Sequence, residues 1–111
     1  MPYAAFIDAL PGLDTPFAPE DVTMRALRGD DGLVVFFTFH RDMDLPMHSH
    51  GPQWGTLIRG SVRLTIGEQT RDYAPGESWD IPAGVPHGGH IAAGSEITDV
   101  FADPDRYPLK R

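Results

Sequence analysis

From residue 33 onward the hydrophobic and polar positions follow a period of two. Leu33-Val34-Val35-Phe36-Phe37-Thr38-Phe39-His40 is rich in β-branched and aromatic residues and too short for a well-formed helix, so it predicts a strand. Thr56–Arg59 and Ser61–Ile66 are two further runs broken by Gly60. In the second, Val62, Leu64 and Ile66 share one face while Arg63 and Thr65 take the other. Gly67-Glu68 predicts a turn into Gln69–Tyr73, and Ser78–Pro82 and Glu96–Phe101 close the series. Before residue 33 the pattern is ambiguous. Pro19–Leu27 has a proline and acids at its start, which suits a helix, yet Val22, Met24 and Ala26 also alternate as a strand would. The 11 prolines and 12 glycines are scattered at short intervals, which describes turns between short elements rather than a linker. Strands this short and this regularly punctuated predict an all-β sandwich or barrel with a short N-terminal extension.

Composition narrows the partners more than the fold. A chain of 111 residues fits one compact domain, 1–111. No apolar run approaches the ~20 residues of a membrane-spanning helix, and no basic n-region precedes an apolar stretch at the start. The expectation is therefore a cytoplasmic protein with no membrane partner. A net charge of −7 leaves no basic stripe for nucleic acid. With no cysteine, any metal must be held by nitrogen and oxygen ligands.

Four of the five histidines fall in two Gly/Pro-bracketed segments, His48/His50 and His87/His90. In an extended segment, residues i and i+2 project to one side, so His48 and His50 can aim at one point. Gln53, just past Gly51-Pro52, can bring a side-chain oxygen to the same point, and His87 a third nitrogen. Taken alone, the His-x-His pair is equally what two exposed polar residues in a turn look like.

The second segment gives the pair a context. Gly76, five residues, Pro82-Ala83-Gly84, two residues and His87 reproduce the second sequence motif of the cupin superfamily, G-x5-P-x-G-x2-H. His48, His50 and Gly60 match the first motif, with Asp42 at its leading glycine and Gln53 at its usual glutamate. The chain thus resembles a small single-domain cupin over about residues 33–101. That resemblance implies a double-stranded β-helix, or jelly-roll barrel. It also implies one divalent ion (Zn, Ni, Fe, Mn or Cu) held by His48, His50, Gln53 and His87. A neutral glutamine would leave the ion its full +2 charge, which favours an anionic substrate.

In the last strand, Ile97, Asp99 and Phe101 share a face by period two. If that face is the interior, Asp99 is a carboxylate in apolar surroundings and a candidate general base. The stretch Asp99–Tyr107 (DVFADPDRY) resembles the tail of many small cupins, among them those acting on unsaturated uronates, where the site's metal is held by three His and one Gln. Phe101, Arg106, Arg59 and His90 are the remaining candidates to line a substrate pocket. The arginines could grip a carboxylate bidentately, with exposure as the alternative. The resemblance implies a metal-dependent isomerisation or ring-opening of a 4,5-unsaturated uronate. An Fe(II) dioxygenase and a non-enzymatic ligand- or carbohydrate-sensing module are the alternatives. The apolar N-terminal third is a candidate for packing across a homodimer.

Overall fold

The computed structural model describes residues 3–110. A four-residue helix α1 (Ala5–Asp8) precedes nine strands: β1 Val22–Gly29, β2 Gly32–Phe39, β3 Met43–His48, β4 Gln53–Arg59, β5 Val62–Ile66, β6 Gln69–Tyr73, β7 Ser78–Ile81, β8 His87–Ile91 and β9 Glu96–Phe101. They form a five-stranded sheet, β1-β2-β9-β4-β7, and a four-stranded sheet, β3-β8-β5-β6, in which every pairing is antiparallel. This is the all-β architecture that the period-two pattern predicts, in the jelly-roll form that the cupin resemblance implies.

The ambiguous stretch before residue 33 resolves as strand β1. Val22, Met24 and Ala26 are buried and the residues between them half-buried, a pattern a helix cannot make. Leu33, Val35, Phe37 and Phe39 do the same on β2. Their side chains meet those of Leu57, Val62, Tyr73, Trp79, Ile81, Ile91, Ile97 and Phe101 in a core between the two sheets.

Two strands lack a local signal. β3 (MDLPMH) carries a proline and an acid, and β8 (HGGHI) a glycine pair. A Cβ at Gly88 would meet the Leu45 and Pro46 backbone, and one at Gly89 the Arg63 carbonyl. The glycines therefore let β8 lie close between β3 and β5, and pairing rather than propensity makes it a strand. The start of the N-terminal extension, around Tyr3, packs on the outer face of the larger sheet. There the buried Tyr3 hydroxyl reaches the carbonyls of Phe37 (3.1 Å) and Ile97 (2.9 Å).

Candidate metal centre

The registers of the two sheets bring the site together. On the four-stranded sheet His48 stands opposite His87, which stands opposite Ile66. On the five-stranded sheet two rows run across the barrel wall. One holds Leu33, Phe101, Gln53 and Ile81; the next holds Val35, Asp99, Gly55 and Trp79. β3 ends at His48, so His50 lies beyond the strand and is carried inward by the loop, whose His50 carbonyl accepts a bond from Gly84 N (2.9 Å). The period-two argument for His48 and His50 therefore covers only the first of them.

The ligand atoms of His48, His50 and His87 lie within 4.8 Å of one another. Ring centroids are 4.3 Å apart for His48 and His87, 4.8 Å for His50 and His87, and 5.3 Å for His48 and His50. Each Nδ1 donates to a backbone carbonyl: His48 to Pro46 (2.8 Å), His50 to Gly51 (2.8 Å) and His87 to Val85 (3.0 Å). A neutral imidazole carries one proton, and here it sits on Nδ1, so each Nε2 presents a lone pair. Nε2 of His50 and of His87 is buried without a partner. Burial pushes both imidazoles below their usual pKa, and Arg106 lowers each further. Two buried imidazoles held towards the neutral form, with Nε2 atoms that no donor satisfies, beside a third ring whose ligand atom converges on them, are what a divalent cation requires.

Gln53 adds to this set. Its side chain lies beside the Asp99 carboxyl and helps to lower its pKa, and its Oε1 is buried and unpartnered, as is Asp99 Oδ1. The donor set of three imidazole nitrogens and one neutral carbonyl oxygen fits a divalent transition metal. Asp99 is 7% exposed. Burial pushes its carboxyl up to about 7, against hydrogen bonds from Gln53 and Trp79 that pull it down. Gly55, directly opposite, makes room for it: a Cβ there would run into Asp99 Oδ1 and the Trp79 indole.

These residues line a cavity of about 350 Å³ between the sheets, together with Phe101, Arg106 and Tyr107. The Arg106 guanidinium lies 4.3 Å from the centre of the Tyr107 ring and 5.8 Å from that of Phe101, with a buried, unpartnered Nε. It is the only cationic side chain among the cavity's lining residues.

Two candidates lie elsewhere. His90 is on the outward parity of β8, bonded to the exposed Asp44 (2.7 Å) and paired in register with Arg63. Arg59 takes the alternative of exposure: after a register shift between Leu57 and Arg59 it stands in solvent beside Glu96. Sequence reasoning did not find Trp79, whose indole stands against the Asp99 carboxyl across Gly55. Nor did it find Phe17, which reaches the cavity from the N-terminal extension. The buried Glu96 was also missed: its carboxyl is pushed up by desolvation and lies 3.5 Å from Thr38 Oγ1. Glu96 keeps the outward parity of β9, beside Thr38, so its burial comes from what covers the outer face of the sheet, which alternation does not mark.

A family model described as the cupin domain matches residues 36–102. No curated protein matches the chain. Among solved structures, an RmlC-like cupin from Shewanella frigidimarina superposes with a TM-score of 0.73 at 18% identity, over 86% of each chain. KdgF from a Halomonas species gives 0.70 at 21% identity, over 87% of this chain and 86% of that one. A Bacillus subtilis oxalate decarboxylase, described for its Mn(II) centres, gives 0.68 at 20% identity over 81% of this chain and 28% of its own.

Proposed function

This chain belongs to the cupin domain family, and on that premise we propose that its barrel is a metal-dependent catalytic centre for a small carboxylate substrate, with Asp99 moving a proton. The observation that carries the reading is the convergence of one ligand atom each from His48, His50 and His87, with Nε2 of His50 and of His87 buried and unpartnered beside the orphaned Gln53 Oε1. His48, His50 and His87 would hold the ion, with Gln53 the fourth donor. When bound, a divalent ion polarises a carbonyl, carboxylate or hydroxyl oxygen as a Lewis acid.

The chain's own residues supply the rest. Arg106 faces the cavity with an unpaired Nε–H, suited to a substrate carboxylate. Asp99, with a carboxyl near 7, can take a proton from carbon or oxygen and return it at neutral pH. Trp79 and Gln53 hold that carboxyl in place, and Phe101 keeps the adjacent wall dry.

The substrate named by the sequence resemblance is a 4,5-unsaturated uronate, isomerised or ring-opened. Purified, metal-loaded protein should bleach the ultraviolet absorbance of such a uronate. Asp99→Asn should slow this by roughly 10²- to 10⁴-fold, as loss of a general base does, and leave metal content unchanged. Bleaching that survives the substitution would move the proton transfer to another group.

A homodimer is the companion proposal. Leu27, Val34, Val100 and Trp54 stand in one row across the outer face of the five-stranded sheet. Leu27 is 51% and Trp54 44% exposed. Asp80 closes the row on β7, and Arg25 stands one row away on β1. A second copy related by a twofold axis parallel to the strands would cover the apolar row and bring these opposite charges together.

A further inference from the structure

The polar groups of the cavity are gathered at one end. His48, His50, His87, Gln53, Asp99 and Arg106 sit around the rows that hold Ile66 and Phe101. β8 then runs four residues from His87 to Ile91, roughly 13 Å at about 3.3 Å per residue. At that far end Ile91 pairs with Met43 on one sheet, and Val22 pairs with Phe39 on the other. Phe17, Val22, Phe39, Met43, Leu64 and Ile91 all line this part of the same cavity. Asp44 also belongs to the wall, but its side chain is exposed and bonded to His90 on the outer surface. No side chain in the apolar arm can therefore pair with a ligand hydroxyl. Burying one there without a partner is unfavourable by roughly 1–3 kcal/mol.

We propose that the ligand this cavity is shaped for carries its carboxylate at the histidine end and an apolar body in the arm: an aryl-substituted or branched-alkyl carboxylic acid. A free sugar acid satisfies the polar end and leaves the arm empty. The inference rests on the metal and carboxylate reading given above; the unsaturated uronate named there would still reach the metal site and Asp99 but bind weakly, because it leaves the arm empty. Specificity belongs to the arm residues, none of which is among the proposed metal ligands or the proton-transfer group.

The test is calorimetry on the Ni²⁺-loaded full chain with three probes that share a carboxylate: acetate, galacturonate and phenylacetate. Phenylacetate should bind at least about tenfold tighter than either of the others, a factor modest for a buried ring. It should also bind with a negative heat-capacity change. Leu64→Gln should cut that preference to within about threefold, with bound nickel reporting that the barrel is intact. If Leu64→Gln does not fold, Met43→Gln serves the same purpose. Galacturonate or acetate binding as tightly as phenylacetate would overturn the inference while leaving the metal and carboxylate reading in place. So would a preference unmoved in a folded variant. Failure of all three acids to bind nickel-loaded protein would overturn the carboxylate reading itself, and the inference with it.

Discussion

Each of the three histidines gives its Nδ1 proton to a carbonyl within two residues of itself, at Pro46, Gly51 and Val85. Local backbone carbonyls therefore fix which ring nitrogen carries the proton. Asp99 is tuned differently, by desolvation from the whole wall around it. With its carboxyl at 3.8 in the unfolded chain and about 7 in the folded one, Asp99 keeps a proton between those values that the unfolded chain has lost. Its contribution to stability is thus full below about 4 and is lost as pH rises through about 7. His50 and His87, lowered by burial, act in the opposite sense, losing their contribution as pH falls below their unfolded value. Urea unfolding of chelator-treated protein across this range should show a falling Asp99 component that disappears in Asp99→Asn, while the histidine component remains. Identical pH slopes in both proteins would mean that Asp99 is not held protonated.

At the scale of elements, the site depends on register and on glycines that let strands close on one another. Gly55 sits between Asp99 and Trp79 in one row of the large sheet, with no space for a methyl group. Gly55→Ala should cost about 1–3 kcal/mol, read from the urea midpoint, and should displace Asp99 enough to lose turnover. Wild-type stability and turnover in that variant would show that the row is looser than its geometry.

Much of this was legible in advance. Alternation marked β2, β5 and β9 because each buries one face. The spacing from Gly76 to His87 marked the third imidazole because Pro82 and Gly84 (φ +77°) shape its turn. The rest was not. β3 and β8 have no propensity of their own and form because Gly88 and Gly89 admit their neighbours. For Arg59 the sequence left pocket and surface both open, and a register shift that leaves no mark in the sequence puts it at the surface.

For the whole molecule, the two sheets divide the labour. The four-stranded sheet brings the histidines, and the five-stranded sheet brings Gln53, Asp99 and Phe101 on its inner face and an apolar row on its outer one. If that row is a subunit interface, sedimentation should give twice the chain mass for the wild type and the monomer mass for Trp54→Glu. A wild-type monomer at micromolar concentration would leave the row uncovered. No helix among the described residues is long and apolar enough to cross a membrane.

The central claim is that His48, His50 and His87 hold a divalent ion. Element-resolved metal analysis of the purified chain beside His87→Ala tests it most directly. About one transition-metal ion per chain is expected in the wild type, with at least tenfold weaker retention against a chelator once the third imidazole is gone. A wild type that takes up none of Zn, Ni, Fe, Mn or Cu, or a His87→Ala variant that holds its metal as tightly, would contradict the claim.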